Sequence, residues 1–229
     1  MLHYMYNTVF TKRCQIIYAI IAPMKLKNKT AALFTIIIIG FLGYILYQSL
    51  KPPVSVIVQA GHEGRTCGNT GAECKDFREE DWNVQVADEV AKQLRAWGID
   101  VLRIPADSTM QRAKVAVAIH FDGADNICHS GASVGYPDNN ASYRFAQRWK
   151  ALYEPYYPFN WHEDNFTNNL RDYYAYRWIL APKFLVLELG EITCPKQTYW
   201  LEPRLKKIAH LIAYAIATEL GKTVKKPKL

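Results

Sequence analysis

Residues 56–64 read Val56-Ile57-Val58-Gln59-Ala60-Gly61-His62-Glu63-Gly64, an apolar run that ends in glycine and histidine. A second histidine, His120, directly follows another apolar run, Val115 to Ile119. Short apolar runs of this kind predict buried strands, so each histidine stands where a strand meets a loop. Binding sites in open α/β sheets lie at that edge, where the two imidazoles can meet. Two imidazoles with a carboxylate nearby suit a catalytic zinc ion.

Strand and helix patterns alternate along residues 54–221. The apolar runs that predict buried strands are Val54–Val58, Val101–Ile104, Val115–Ile119, Ala132–Tyr136 and Phe184–Leu189. The segments with a helical apolar stripe are Glu80–Trp97, Ser142–Tyr153 and a last helix that begins at Pro203 and ends at Gly221. Alternation of this kind predicts a single α/β domain with a mostly parallel, twisted sheet that is flanked by helices on both faces.

Two connections depart from this regular pattern. About ten residues separate Ile104 from Val115, barely enough for a minimal crossover between parallel strands. The segment from Tyr153 to Trp178 is crowded with aromatic residues, asparagine and aspartate and has no clean period. We expect it to be a long irregular insertion that either lines a binding site or covers one sheet edge as an aromatic cluster.

The formal net charge of +7 is unevenly distributed. Residues 1–50 hold five basic and no acidic side chains, and four lysines follow Gly221. Residues 52–221 hold 18 basic and 21 acidic side chains, so the folded region is weakly acidic. This distribution argues against a nucleic-acid-binding domain.

Thr30 to Leu50 form a run of 21 uncharged, mostly apolar residues that follows three closely spaced lysines. The run predicts an N-terminal transmembrane signal anchor, with residues 1–29 in the cytoplasm. Residues 51–221 would then form an exported domain on the periplasmic or extracytoplasmic side, followed by a basic tail, residues 222–229. A cleaved signal peptide is the alternative. A start at Met24 would make residues 1–23 an untranslated extension.

Four cysteines lie in the segment predicted to be exported, and an even number in an oxidising compartment permits disulfides. Cys67 and Cys74 share one glycine-rich loop and could pair locally, while Cys128 and Cys194 are far apart in the sequence. Four unpaired thiols are the alternative. A zinc site made of these cysteines is not expected, because no C-x-x-C motif occurs.

Two groups of acidic residues could take part in chemistry. Glu188 lies within the apolar strand Phe184–Leu189, and acids are rarely buried unless they are paired or bound to metal. Glu191 is a weaker rival, and a salt-bridged carboxylate at the strand end is the structural alternative. Glu79 and Glu80 open the first helix, where acids interact favourably with the helix dipole but could also complete a metal site.

Four short motifs follow one another along the chain: Ala60-Gly61-His62-Glu63-Gly64, Glu79 with Asn83, Ala118-Ile119-His120, and Leu187-Glu188-Leu189-Gly190. Their order and spacing resemble those of the zinc-dependent N-acetylmuramoyl-L-alanine amidases, over roughly residues 54–220. Four motifs in order are more specific than any one of them. The chain departs from the family at Gln59, where aspartate is common, and at Glu63, which displaces a glycine.

The resemblance implies that His62, Glu79 and His120 bind Zn²⁺ and leave its fourth position to water. It implies that Glu188 takes the proton of that water and returns it to the leaving amine. The bond cut in that family joins the lactyl group of N-acetylmuramic acid to L-alanine in peptidoglycan. Glu80 is the alternative to Glu79, since the register of this motif is open by one residue.

Two other functions are open at this point. One is a catalytically inactive amidase fold that binds the cell wall, and the other is a zinc amidase or peptidase for a different exported substrate. Retention of all four polar positions argues against the inactive form. Peptidoglycan and the membrane are the expected partners, and the sequence does not identify a protein activator.

Overall fold

The computed structural model describes residues 29–50, 53–66, 69–74 and 77–228. The chain divides into two compact units, Met1–Lys51 and Pro52–Leu229. In the first unit, helix α1 spans Lys29–Leu50 and exposes large apolar side chains such as Phe34 and Phe41. Judged by length and apolar character, none of the helices in the described part of the chain could cross a membrane. A transmembrane anchor over Thr30–Leu50 is therefore not confirmed, and residues 1–28 of the predicted cytoplasmic segment lie outside the described residues.

The second unit holds all the strands of the described chain. They are β1 (Val54–Ala60), β2 (Glu73–Cys74), β3 (Phe77–Arg78), β4 (Val101–Ile104), β5 (Gln111–Asp122), β6 (Ala132–Gly135), β7 (Ile179–Leu180) and β8 (Phe184–Glu191). The helices are α2 (Glu79–Ala96), α3 (Asn140–Tyr153), α4 (Asn168–Arg171), α5 (Pro195–Leu201) and α6 (Leu205–Glu219), with 3₁₀ turns at Tyr174–Arg177 and Glu202–Arg204.

The main sheet has the strand order β4-β1-β5-β8-β6, and β7 pairs with the start of β5. β1 runs parallel to both β4 and β5, β5 runs parallel to β8, and only β6 is antiparallel to its neighbour β8. The predicted mostly parallel sheet is confirmed. Its register places Ala60 beside Ile119 and His120 beside Glu188, so the ends of three neighbouring strands meet at one edge.

One face of the sheet, which we call the helical face, packs against α2, α3 and α6. Side chains alternate between the two faces along each strand. On the helical face they are apolar and buried, for example Val58, Val117 and Leu187. The apolar stripe of α6 packs against them through buried residues such as Ile212. The three helices predicted from periodicity are thus confirmed.

The opposite face, which we call the aromatic face, is covered by residues 166–181. Its core contains Ile57, Ala118 and Val186 from the strands, with Tyr173 and Ala175 from the covering segment. The prediction of helices on both faces is wrong in this respect, because the helical structure of the described cover is limited to the short α4 and a 3₁₀ turn, followed by the strand β7. Residues 105–110 join β4 to β5 without a helix, and the aromatic insertion takes up the uncovered surface instead.

A disulfide joins Cys128, in the loop after β5, to Cys194, in the loop after β8, with the two Cα atoms 4.6 Å apart. This pairing was not predicted. Cys74 is a free cysteine, and Cys67, the other half of the proposed local bridge, lies outside the described residues.

Candidate active site

The turn after β1 brings His62 back over the sheet edge. Gly61 leads into this turn, and a Cβ atom there would lie 2.2 Å from the His120 ring. Only glycine therefore lets the β1 turn pass so close to that imidazole. His62 itself has φ of 63°, in the left-handed region, and this conformation directs the chain away from the strand.

Three predicted ligand residues come together at this edge. His62, Glu79 and His120 each offer one ligand atom, and these atoms all lie within 4.8 Å of one another. Glu79 Oε1 lies 3.4 Å from His62 Nε2 and 3.0 Å from His120 Nδ1. Ligands about 2.0–2.2 Å from a tetrahedral zinc ion lie about 3.3–3.6 Å apart, so the cluster has nearly the required dimensions. The donor set, two imidazoles and one carboxylate, also fits this ion.

Glu79 is held in the cluster by groups on both sides. Its Oε2 accepts a hydrogen bond from the backbone of Ala72 at 2.9 Å, and its Oε1 accepts one from Asn83 Nδ2 at 3.1 Å. Asn83 also donates to the carbonyl oxygen of Gly61 at 3.0 Å, which ties α2 to the histidine turn. Burial would raise the pKa of Glu79, but the adjacent His120 and His62 rings bring it below its ordinary value.

The neighbouring carboxylate, Glu80, points away from the cluster. It accepts a hydrogen bond from the backbone of Gly64 at 3.0 Å and pairs with Arg78 at 2.9 Å. The structure therefore places Glu79, and not Glu80, with the two histidines.

Each imidazole is oriented by a polar partner of the ring nitrogen that faces away from the cluster. His62 Nδ1 lies 2.9 Å from the carbonyl oxygen of Asn69, and His120 Nε2 lies 3.0 Å from the hydroxyl of Tyr173. Burial, partly offset by Glu79, lowers the pKa of His62. The imidazole of His62 is therefore biased toward its neutral form, the form that can bind metal.

Glu188 lies on β8 directly beside His120. Its Oε2 is buried and makes no hydrogen bond to the described residues. Burial raises the pKa of Glu188 well above its ordinary value, and the nearby carboxylates of Glu79 and Asp122 raise it further. A buried carboxyl oxygen without a partner is costly, and such groups are typical of functional sites.

Glu191 has a different environment. It is fully buried, and its carboxylate accepts hydrogen bonds from the backbone of Cys128 and Ser130 and from the hydroxyl of Thr193, each at 2.7 Å. Its carboxylate therefore fixes the disulfide loop beside the site.

An open cleft of about 450 Å³ runs over the cluster. Besides the four predicted residues, its lining includes Asp122 and Asn169. Burial raises the pKa of Asp122, whose carboxylate accepts a hydrogen bond from Ser130. His62 is the most open of the three clustered side chains, at 18% exposure against 9% for His120 and 5% for Glu79.

Sequence reasoning missed Tyr173, and it noted Gln59 only as a departure from the family pattern. Tyr173 bonds to both His120 and Gln59, although 53 positions separate it from the first and 114 from the second. A polar residue near the end of a buried strand was the signal at Gln59. Nothing in an aperiodic aromatic segment distinguishes Tyr173 from its neighbours.

Comparison of the fold with solved structures gives matches to several amidases. The catalytic domain of CwlV, an N-acetylmuramoyl-L-alanine amidase from Bacillus (Paenibacillus) polymyxa var. colistinus, aligns with a TM-score of 0.58 and 20% identity. The alignment covers 74% of this chain and 99% of that domain. An N-acetylmuramoyl-L-alanine amidase from Clostridium difficile 630 gives a TM-score of 0.57 at 21% identity, with 75% and 99% of the two chains covered.

A third similar structure is the CwlD amidase from Clostridioides difficile, solved in complex with the GerS lipoprotein. Its TM-score is 0.54 at 19% identity, with 73% of this chain and 98% of that one covered. Identities this low show a shared fold. Comparison with curated proteins finds no significant match.

The sequence model of one protein family identifies the chain more directly. The model described as N-acetylmuramoyl-L-alanine amidase matches residues 56–218, a range that contains the three clustered residues and Glu188. This match covers well over half of the chain. The chain therefore belongs to the N-acetylmuramoyl-L-alanine amidase family and is an amide hydrolase.

Proposed function

We propose that this protein is a zinc-dependent peptidoglycan amidase that cleaves the bond between the lactyl group of N-acetylmuramic acid and L-alanine. His62, Glu79 and His120 would hold the ion, and Glu188 would act as the general base and acid. The observation that carries this proposal is the buried, unpartnered carboxyl oxygen of Glu188 beside a cluster of two imidazoles and a carboxylate. The cleft over the cluster gives a substrate access to all four residues.

A zinc ion held by the cluster would supply a Lewis acid that polarises the amide carbonyl and favours attack by water. The chain itself would supply the geometry. Asn83 and the backbone of Ala72 fix Glu79, while Asn69 and Tyr173 orient the two imidazoles. Outer hydrogen bonds of this kind set the direction of each ligand before the ion binds.

Glu188 would move the proton in both halves of the reaction. Its carboxylate would take a proton from the attacking water and pass it to the nitrogen of the leaving L-alanine. No hydrogen bond from the described residues competes for Oε2, which leaves this atom free for the exchange. A cation bound beside Glu188 would offset the burial that raises its pKa and would favour the ionised form needed to accept a proton.

Metal content tests the proposed site. Purified full-length protein should contain one zinc ion per chain, and His62→Ala or His120→Ala should abolish binding. His210→Ala is the matched control, because His210 of α6 pairs with Glu89 of α2 at 2.8 Å and is not part of the cluster. Protein that binds no zinc, or variants at His62 and His120 that bind it as well as the control does, would refute the site.

Digestion of purified sacculi tests the substrate. Mass spectrometry should detect free stem peptides that begin with L-alanine. Peptides cut at another bond would point to a different amidase or peptidase activity. A zinc-loaded protein that binds sacculi and releases nothing would favour a binding function or a missing activator.

We also propose that the domain lies outside the cytoplasm, where peptidoglycan is found. The Cys128–Cys194 disulfide supports an oxidising compartment. The sequence of Thr30–Leu50, with the lysines before it, supports attachment to the cytoplasmic membrane through this segment.

Two experiments test this location. Protease added to spheroplasts should digest the domain, and washing of membranes with alkaline carbonate should leave the protein in the membrane fraction. A soluble form with a new N-terminus near residue 50 would show a cleaved signal instead.

A protein partner is a further part of the proposal. The related CwlD amidase was solved in complex with a lipoprotein, GerS, which supports a search for an activator of this chain. Affinity capture from its own cells with zinc-loaded protein should recover such a partner, and addition of that partner should increase the release of stem peptides.

A further inference from the structure

A chain of buried polar groups leads from His120 into the aromatic face. His120 Nε2 lies 3.0 Å from the Tyr173 hydroxyl, and that hydroxyl lies 2.9 Å from Gln59 Oε1. Gln59 Nε2 in turn lies 2.7 Å from the carbonyl oxygen of Ala106. Gln59 is only 1% exposed and Tyr173 9%, so these groups form their hydrogen bonds with one another and are largely shielded from bulk water.

The carbonyl oxygen of Ala106, the last group of this chain, fixes the direction of the hydrogen bonds before it. The carbonyl oxygen of Ala106 can only accept, so the part of the Gln59 amide that faces it must be the NH₂ group. Oε1 of Gln59 then faces Tyr173 and accepts the hydroxyl proton. The oxygen of Tyr173 has no second proton to give, so it must accept one from Nε2 of His120.

This direction selects one tautomer of His120. A neutral imidazole carries a single proton, and here that proton lies on Nε2. The lone pair is left on Nδ1, the nitrogen 3.0 Å from Glu79 and directed into the ligand cluster. His62 has the opposite arrangement, because the carbonyl oxygen of Asn69 faces its Nδ1 and leaves Nε2 for the cluster.

We propose that Tyr173 and Gln59 are positioning residues that lock His120 in the Nε2-protonated tautomer and so prepare its Nδ1 to bind metal. This inference rests on the proposed zinc site of His62, Glu79 and His120. Loss of such an outer partner typically costs 10–100-fold in metal affinity. Tyr173 comes from the irregular segment over the aromatic face, which thereby contributes directly to the order of the site.

The test compares two tyrosines of the same segment that each lose one hydroxyl. Tyr173→Phe keeps the ring and removes the bond to His120. Tyr176→Phe is the matched control, because the hydroxyl of Tyr176 donates to the carbonyl oxygen of Leu170 at 3.0 Å and does not contact a ligand. Zinc affinity of the full-length proteins is measured by competition with a chromophoric chelator, and thermal unfolding without metal checks the fold.

Tyr173→Phe should weaken zinc binding by about 10–100-fold, while Tyr176→Phe should change it by less than about threefold. Gln59→Met should act in the same direction as Tyr173→Phe, because the freed hydroxyl can then donate to Nε2 and favour the wrong tautomer. Equal affinity of Tyr173→Phe and wild type would overturn the inference and leave the proposed zinc site intact. Failure of wild type to bind zinc would overturn both.

A second measurement needs no variant. Nitrogen-15 NMR of the zinc-loaded wild-type protein should find the proton of His120 on Nε2 and that of His62 on Nδ1. A proton on Nδ1 of His120 would overturn the inference even if both variants at Tyr173 and Gln59 failed to fold.

Discussion

The helical face and the aromatic face are built from alternate residues of the same strands, yet they differ in what they bury. In β8, Leu185 and Leu187 point to the helical face, while Val186 and Glu188 occupy positions on the aromatic face. The same alternation gives Gln59 in β1 and His120 in β5 to the aromatic face. The two faces therefore separate stability from chemistry, and Glu79 joins the site from the start of α2 at their common edge.

This separation has a physical basis in the cover of each face. Long helices satisfy their own backbone groups and offer the sheet only an apolar stripe. An irregular segment with buried tyrosines must find partners for its hydroxyl groups within the sheet. Polar strand residues can therefore be kept on the aromatic face, where Tyr173 meets Gln59 and His120.

The largest effect is expected for Glu188→Gln, on the aromatic-face side of β8. The amide keeps the shape of the side chain but cannot transfer the proton, so the rate of stem-peptide release should fall by about 10²–10⁴-fold. Zinc content should not change, because Glu188 is not among the three clustered residues proposed to hold the ion. Digestion of sacculi at the wild-type rate would remove Glu188 from the mechanism.

A cavity in the core of the helical face should lower the stability of the fold and leave zinc binding nearly unchanged. Ile212→Ala removes a side chain that is 1% exposed in the centre of α6 and should lower the free energy of unfolding by about 2–5 kcal/mol. Zinc affinity of the folded protein should stay within about twofold, since the helical-face core has no part in orienting the imidazoles. Urea unfolding and chelator competition measure the two quantities. A large loss of zinc affinity would show that the two faces are not separable.

Glu191→Gln tests the carboxylate three positions further along the same strand, at its last residue. An amide can accept with only one of its two polar atoms, so at least one of the three donors at Cys128, Ser130 and Thr193 loses its partner. We expect a loss of about 1–3 kcal/mol in stability and a much smaller effect on rate than that of Glu188→Gln. Urea unfolding and the sacculus assay on the same preparation compare the two glutamates. A rate as low as that of Glu188→Gln would assign Glu191 a part in the chemistry.

The helical face could be read from the sequence, because its signals are local. The periods of Glu80–Trp97 and of the last helix predict which residues pack on the sheet, and the apolar runs predict its central strands. The edge at which His62 and His120 meet also follows, since parallel strands end at the same side. Asn83 entered only through the family resemblance, and the structure shows its bonds to Glu79 and Gly61.

The aromatic face could not be read in this way, because its contacts link residues that are distant in sequence. No local pattern joins Tyr173 to His120 or Cys128 to Cys194, because the fold brings together segments that are distant in sequence. Short segments such as Pro195–Leu201, which forms α5, carry too few residues for a helical period to be recognised. The choice between Glu79 and Glu80 likewise required the direction of a side chain at a helix start.

The smallest effect tests charge, rather than packing, beside the helical face. Glu219, at the end of α6, pairs with Lys183 at 2.8 Å and with Arg148 of α3. Burial acts to raise the pKa of Glu219, but the two cations bring it below its ordinary value. These two ion pairs therefore stabilise the folded state above the pKa of glutamate in the unfolded chain, about 4.3. Their contribution is lost as the pH falls through the lower pKa of Glu219 in the folded protein.

Glu219→Gln should lower the free energy of unfolding by about 0.5–1 kcal/mol at pH 7, because Arg148 is half exposed and its charge is screened. Urea unfolding of metal-free protein at pH 7 and at about pH 3 should show the difference between wild type and variant shrinking in acid. A difference that does not depend on pH would mean that Glu219 acts through packing and not through its charge.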